Sequence, residues 1–465
     1  MSSHLLPNLT AAHLFEAILA IALVFSCLLG LQVIRERRPP AVTLAWVAVL
    51  VLLPMLGVLL YLLFGTRKRW ELRVRQRPVI GCETAVRPFD DAHVLDRMLR
   101  RLALPPALSG NDIRCSWRPE VARRDLLDVI DGATERLWMF IYMFEDDASG
   151  ALVLDALIAA ASRGVRVRVM VDDLGSFGSL AAGRRALEAA GGRMVRFKPV
   201  WYALRKRMLN LRNHRKIVVA DGQVAWTGGR NVGDHYLAAG KHEWLDFSAV
   251  IRGPTALALE EICRNDWRFA SDEPPDSSPV WVSGPQGNAC LQVLPAGPEY
   301  RDDAWQTALV KCCFEAHSRL WLATPYFVPD ETVTNAVLTA ARSGVDVRIL
   351  VPHRSDNLVV DLVGRSFLRE VQRAGGKVFR YKIGMMHAKA VLVDDTLAMF
   401  GSANIDARSL FLNYECMVIG YDAETVIPVQ AFFEYAFARA SRGVRTIGQI
   451  RETLSSLARL LAPLL

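Results

Sequence analysis

The sequence predicts an α/β protein of two pseudo-twofold-related halves, each a mixed β-sheet flanked by helices, behind a two-helix membrane hairpin. Three observations predict this. Two apolar runs fill most of the first 65 residues. Beyond about residue 110, β-rich apolar runs alternate with helical stretches that end at glycine. That alternation then occurs a second time, and a repeat outranks other sequence signals.

The 465 residues correspond to roughly three units at about 150 residues each, enough to bury a core without disulfide staples. The net charge of +8 favours anionic partners such as phosphate esters, acidic lipid headgroups or nucleic acid. The eight cysteines form no CxxC pair and no zinc-ligand spacing. They read as reduced residues packed as small hydrophobes.

In the first run, residues 17–34, only Ser26 and Gln32 are mildly polar, and the second run, residues 41–64, holds no charge. A bilayer core needs about 20 apolar residues in a helix, so helices are expected over about 14–34 and 41–64, within a hairpin spanning 1–66. The turn Arg35-Glu36-Arg37-Arg38-Pro39-Pro40 is charged and helix-breaking. Trp46 and Tyr61, near opposite ends of the second run, are placed as interfacial aromatics. A cleavable signal peptide is disfavoured, because no Lys or Arg precedes the first run and no small-residue cleavage pattern follows it. The stretch after Phe64 holds Arg67, Lys68, Arg69, Arg73, Arg75 and Arg77, against Arg35, Arg37 and Arg38 in the turn. The positive-inside rule then puts the main body in the cytoplasm. Residues 67–110 read as a basic connector.

The first half (111–270) and the second (288–465, with a C-terminal helix) flank a Ser/Pro/Asp/Gly-rich linker at 271–287. Arg136-Leu137-Trp138 opens one copy and Arg319-Leu320-Trp321 the other. In each, a helix stops at Gly164 or Gly344, a Val-rich strand follows, and a second helix ends at Gly191-Gly192 or Gly375-Gly376. The first copy then reads His214-Arg215-Lys216, four residues, Asp221, six residues, Gly228-Gly229-Arg230-Asn231. The second reads His387-Ala388-Lys389, four residues, Asp394, six residues, Gly401-Ser402-Ala403-Asn404.

Residues two apart on an extended chain face the same side, so His214 with Lys216, and His387 with Lys389, can line one pocket while Arg215 and Ala388 point away. Small residues around Gly229 and Ser402 let backbone N–H groups approach a phosphate, and Asn231 and Asn404 can donate to its oxygens. One imidazole can attack phosphorus while the other handles the leaving and entering protons. The lysines steady the developing charge. No metal or other cofactor is called for. Glu243 and Glu415 follow the two histidines at nearly equal distances, in what read as corresponding strands over 243–250 and 415–419. They are the candidates for orienting the imidazoles. Asp221 and Asp394 read as strand-end residues that tie the turn or pair a cation. His235, His242, His317 and His353 lack repeat partners and read as structural or surface residues. Arg205-Lys206-Arg207, flanked by Trp201 and Tyr202, reads either as a lipid-facing patch or as a solvated loop.

The duplicated HxKx4Dx6G[GS]xN pattern resembles the phospholipase D superfamily, and the whole chain, hairpin words Leu44-Ala45-Trp46 and Tyr61-Leu62-Leu63-Phe64-Gly65 included, resembles the bacterial cardiolipin synthases. The resemblance implies a phosphohistidine intermediate, with transfer of a phosphatidyl group from one phosphatidylglycerol to another and release of glycerol. It carries His214, Lys216, Asp221, His387, Lys389 and Asp394 over as the catalytic motif, with His214 as nucleophile and His387 as acid and base. It implies phosphatidylglycerol and anionic membrane lipids as partners, not nucleic acid, and a multi-pass location in the bacterial cytoplasmic membrane. A hydrolase of phospholipase D type, using water as acceptor, is the competing expectation.

Overall fold

The structure is a computed structural model. It describes residues 11–35, 40–65, 86–87, 93–176, 181–197, 211–240, 243–271, 273, 284–300 and 302–444. The basic stretch at 67–77, the Arg205–Arg207 patch, most of the 271–287 linker and the expected C-terminal helix lie outside these residues.

The N-terminal unit holds α1 (Ala11–Arg35), α2 (Pro40–Leu52) and α3 (Pro54–Phe64). The helix expected over 41–64 is thus two helices. Pro54 has no N–H to donate to the preceding turn and its ring crowds that turn's carbonyl, and Leu53 leaves the helical region at φ −133°, ψ 63°. The chain folds back there. Trp46 and Tyr61, expected at opposite interfaces, meet edge-to-face with ring centroids 5.2 Å apart. They share a small core with Leu29, Val33 and Leu50. Gly57 permits the fold-back, since a Cβ there would lie 2.6 Å from the Val49 carbonyl oxygen. The Ser26 hydroxyl, midway along α1, reaches the Pro54 carbonyl at 3.5 Å.

In the main unit, α4 (Val94–Arg101) lies within the expected connector. Its Leu95 and Leu99 are buried against the second half, so part of that segment belongs to the core. The first half runs β1 (Leu108–Ser116), α5 (Pro119–Asp131), β2 (Arg136–Ile141), α6 (Ala148–Ser162), β3 (Arg166–Asp172), α7 (Ala181–Ala189) and β4 (Arg193–Phe197). It continues through β5 (Ile217–Ala220), β6 (Val224–Gly228), α8 (Asp234–Leu237), β7 (Ser248–Arg252) and α9 (Pro254–Ala270). The second half repeats the plan with β8 (Ala289–Ala296), α10 (Ala304–Glu315), β9 (Arg319–Ala323), β10 (Phe327–Val328), α11 (Glu331–Arg342) and β11 (Asp346–Pro352). There follow α12 (Leu358–Arg373), β12 (Lys377–Tyr381), β13 (Ala390–Val393), β14 (Leu397–Gly401), β15 (Ile405–Asp406), α13 (Ala407–Phe411), β16 (Glu415–Gly420), α14 (Ala423–Phe437) and β17 (Ala440–Arg442).

The two sheets join into one of order β17-β12-β11-β9-β13-β14-β16-β8-β1-β7-β6-β5-β2-β3-β4. The seam is the antiparallel β8–β1 pair, with Leu108 opposite Leu291. Both halves contribute to one core, where Trp138, Phe140 and Trp267 of the first half join Trp321, Phe432 and Phe433 of the second. Each half also has its own core on the other side of its sheet, under α5 and α6 or under α10 and α11. The parallel strands β2-β3-β4 and β9-β11-β12 end at the edge where α/β sheets collect ligands.

Candidate active site

Each histidine stands just before an antiparallel hairpin, β5–β6 or β13–β14, and each is held by the other half. The His214 N–H donates to the Tyr414 carbonyl (2.8 Å) and the His387 N–H to the Leu245 carbonyl (2.7 Å). These crossed bridges bring the two motifs together. The residue after each accepting carbonyl is a carboxylate, Glu415 or Asp246.

His214 Nδ1 lies 3.0 Å from Glu415 Oε2 and 3.1 Å from the Ser402 carbonyl. His387 Nδ1 lies 2.7 Å from Asp246 Oδ2. An ionised carboxylate only accepts, so each Nδ1 carries the proton and each Nε2 keeps its lone pair. Glu415 sits on the opposite half from the ring it holds. Glu243 does not orient a ring: its carboxylate accepts from the Gly240 N–H (3.1 Å), and among the described residues neither histidine bonds to it. Asp246 takes that place. The physical reason is a longer loop in the first half. Gly229 N bonds to the Phe247 carbonyl as Ser402 N bonds to that of Cys416, which makes Asp246 the counterpart of Glu415. Fifteen residues separate Asn231 from Asp246, but eleven separate Asn404 from Glu415. Equal spacing from the histidines therefore chose the wrong acid, and the strand expected from residue 243 begins only at Ser248. Matching the apolar run Phe247-Ser248-Ala249-Val250 to Cys416-Met417-Val418-Ile419 would have found it.

The same correspondence explains the one departure between the motifs. A Cβ on Gly229 would lie 2.2 Å from Asp246 Oδ1, so the shorter acid needs glycine there. Beside the longer Glu415 there is room for Ser402, whose hydroxyl donates to Oε2 at 2.5 Å, while Ser409 donates to Oε1 at 2.8 Å.

Lys216 Nζ donates to the His214 carbonyl (2.7 Å), and Lys389 Nζ to that of His387 (2.5 Å) while lying 3.1 Å from His387 Nε2. The electrostatics interlock across the halves. Burial pushes His214 down to about 4, Glu415 opposing and Lys216 adding to it. Burial and then Lys389 push His387 down to about 3 against Asp246. Burial would raise Asp246, but His387, Lys389 and Arg230 hold it at about 2. Burial likewise works against Glu415, and His214 and Lys216 outweigh it. Burial brings Lys389 down to about 8 and Lys216 well below its ordinary value. Near neutral pH both imidazoles are therefore neutral and both acids ionised.

Arg215 points away from the site, as its place in the motif requires, and is fully buried. It bonds Asp266 (2.6 Å) and Glu299 (2.5 Å), and its Nε donates to the Glu415 carbonyl (3.0 Å). An arginine pinned by acids from both halves thus fixes the backbone of the residue that orients His214, which the motif alone did not reveal. Asn231 Oδ1 accepts from the Met143 N–H (3.2 Å). The aromatic walls are Tyr142 against His214, and Tyr236 and Trp244 against His387.

Asp221 and Asp394 stand apart from this group, so their place in the catalytic motif is corrected to a structural one. Asp221 lies beyond the four residues of β5, five residue steps or about 16 Å along the strand from Lys216. It accepts from the N–H groups of Thr134, Glu135 and Arg136 and from the Thr134 hydroxyl, between 2.8 and 2.9 Å. Asp394 does the same for His317, Ser318 and Arg319. Both take left-handed φ, 56° and 48°, which aspartate tolerates better than most residues. Burial would raise the Asp394 carboxyl, but these backbone bonds bring it down to about 2. Its stabilisation is therefore complete above its ordinary 3.8 and is lost as pH falls through about 2. Asp394→Ala is expected to cost about 2 kcal/mol from orphaned strand-end donors and a strained turn. Thermal unfolding in detergent from pH 7 to pH 2.5 checks this: the gap between variant and parent narrows toward the acid end.

Residues 126–261 and 309–437 match the family described as "Cardiolipin synthase, PLD-like domain". The chain belongs to the cardiolipin synthase family. Residues 18–65 match the "Phospholipase_D-nuclease N-terminal" family. The chain is 34% identical to cardiolipin synthase 1 of Bacillus anthracis, over 92% of this chain and 90% of that one. It is 32% identical to the cardiolipin synthase of Geobacillus kaustophilus, over 97% and 94%. The fold resembles the crystal structure of phosphatidylserine synthase from Haemophilus influenzae, with a TM-score of 0.61 and 15% identity over 80% of this chain and all of that one. As a member of this family the chain is a phosphatidyltransferase, and among the described residues α1 is long and apolar enough to cross a membrane.

Proposed function

We propose that the enzyme transfers a phosphatidyl group from one phosphatidylglycerol to a hydroxyl of a second, through a phosphohistidine on His214. The observation that carries this is the crossed pair of histidine–carboxylate contacts, which leaves two neutral Nε2 atoms, with Lys389 3.1 Å from that of His387 and Lys216 bonded to the His214 carbonyl. His214 Nε2 attacks phosphorus, forming the P–N bond as the bond to the glycerol oxygen breaks. His387 gives that oxygen its proton. The bound phosphodiester's negative charge and Asp246 both raise the proton affinity of His387. Lys389, 3.1 Å from Nε2 and brought down to about 8, is the proton source next to it. A second phosphatidylglycerol hydroxyl then loses its proton to His387 and attacks phosphorus. The P–N bond breaks, and cardiolipin leaves.

Purified enzyme in detergent with phosphatidylglycerol as the sole lipid is expected to yield cardiolipin and glycerol in equal amounts. Phosphatidic acid with glycerol and no cardiolipin would make water the acceptor and overturn the transfer reading.

For the membrane, the folded-back second run supports one spanning helix followed by a re-entrant pair, in place of two full spans. At 1.5 Å per residue α1 is about 38 Å long, but α2 and α3 reach only about 20 and 17 Å, short of the roughly 30 Å hydrocarbon core. The Ser26–Pro54 contact, from the Ser26 hydroxyl to the carbonyl of the first residue of α3, puts their turn halfway along α1. This arrangement also removes a charge conflict. Residues 1–34 hold no Lys or Arg. Arg35 at the end of α1 and Gly65 after α3 then lie on one side, and the basic residues that follow each in the sequence make that side cytoplasmic by the positive-inside rule, together with the catalytic body. An impermeant maleimide applied to intact spheroplasts is expected to label Ser3→Cys and spare Glu36→Cys. The reverse pattern would restore two full spans.

A further inference from the structure

Beside the site, at the C-terminal ends of β11 and β12, lies a surface that the chemistry above does not use. Leu358 is 78% exposed, Ile383 57%, Leu362 48% and Val359 45%. Leu358, Val359 and Leu362 sit at i, i+1 and i+4 on the first turns of α12, one face of the helix. Ile383 joins them because the His353 N–H donates to the Tyr381 carbonyl (2.8 Å), which sets the loop leading into α12 beside the end of β12.

Cations surround these apolar tips. Arg354, Arg365 and Lys382 are exposed and Arg380 half-buried. Burial and then these four groups hold the His353 imidazole below its ordinary value, so they gather around one point. A cleft of about 30 Å³ opens there, lined by His353, Arg365, Arg380, Asp361, Pro325 and Phe327. Three acids stand against these four cations: Asp356, which accepts the Tyr326 hydroxyl (2.6 Å), Asp361, which accepts from the Ser355 N–H (3.1 Å), and Glu243, whose backbone lies against Gly384 beside Ile383. The positive charge is therefore in excess.

This surface borders the mouth of the site. Ile383 is four residues before His387, and the Met385 carbonyl between them accepts from Leu245 N, next to Asp246. Asp356 is close enough to act on Lys389. Aliphatic side chains projecting from a ring of arginine and lysine match the layering of an anionic leaflet, with acyl chains inside and phosphates at the rim.

We propose that this surface docks the catalytic body on an anionic lipid leaflet. Leu358, Leu362 and Ile383 enter the acyl boundary, and Arg354, Arg365 and Lys382 meet headgroup phosphates. This rests on the reading that the substrate is a membrane phospholipid, and it adds the route of entry, sideways from the bilayer past Ile383.

The test compares the full-length enzyme with its Leu358→Glu/Leu362→Glu variant on two substrates. In nanodiscs containing long-chain phosphatidylglycerol, the variant is expected to lose about ten-fold in turnover, the scale of one or two lost surface contacts. On dihexanoyl phosphatidylglycerol dissolved below its micelle concentration, it retains at least half. Equal turnover in nanodiscs overturns the proposal. If both activities fall together, the fold is at fault, and a second measurement decides. Bimane attached at Leu358→Cys, corrected for the labelled parent chain, is expected to shift to the blue and be quenched by lipid-borne nitroxide in phosphatidylglycerol nanodiscs. Ser343→Cys, at the opposite end of β11, is not. Identical behaviour at the two positions overturns the docking. Should the parent make no cardiolipin while bimane at 358 still reports lipid, the proposed reaction fails and the docking surface stands.

Discussion

His214→Ala is expected to lower cardiolipin formation by at least about 1,000-fold and to abolish covalent phosphatidyl labelling of the protein. The effect is large because the nucleophile has no substitute. Glu415 and the Ser402 carbonyl hold Nδ1, so Nε2 is the one basic atom the ring offers. His387→Ala is expected to be as inactive in turnover but for a different reason. It removes the proton donor and base and leaves the nucleophile in place. With a donor whose leaving group needs no protonation, such as a p-nitrophenyl ester, His387→Ala should form the phosphohistidine and accumulate it. Radiolabel carried on acyl chains, followed through acid-free gel electrophoresis, reads both variants. Label that persists in His214→Ala and vanishes in His387→Ala would exchange the two roles.

Asp246→Asn is the second large effect, with turnover falling by about 1,000- to 10,000-fold at nearly unchanged protein stability. Asparagine fills the same space beside Gly229, but its amide can present N–H to Nδ1. The ring then takes the wrong tautomer, with Nε2 protonated and unable to accept the acceptor alcohol's proton. The loss should fall on kcat rather than KM, because Asp246 touches the ring and not the substrate. Glu243→Gln serves as the comparison and is expected to stay within about two-fold of the parent, since among the described residues its carboxylate bonds within its own loop, to the Gly240 N–H, and to neither histidine. Steady-state kinetics on the two variants decide between the acids, and a large loss in Glu243→Gln with a small one in Asp246→Asn would refute the assignment.

Much of the fold was legible in the sequence because it rests on local signals. The strands at Arg136 and Arg319, the helices ending near Gly164 and Gly344, and the strands at 166–172 and 346–352 stand within a few residues of where composition put them. Repetition strengthened each of these readings. The second apolar run misled because hydropathy counts Pro54 as harmless, while the backbone loses a hydrogen bond there and turns back on itself. The stretch before β1 reads as a basic connector with little pattern, yet α4 within it buries Leu95 and Leu99.

By itself, then, the sequence determined the doubled motif, the strand-and-helix order and the histidine and lysine pairs, because each depends on residues a few positions apart. The tertiary structure decided which acid meets which ring. That choice depends on contacts between residues 141 and 201 positions apart, Asp246 with His387 and Glu415 with His214. A four-residue difference in one loop shifts the spacing without moving the carboxylate in space. The crossed backbone bonds, His214 to Tyr414 and His387 to Leu245, help turn two copies of a motif into one site.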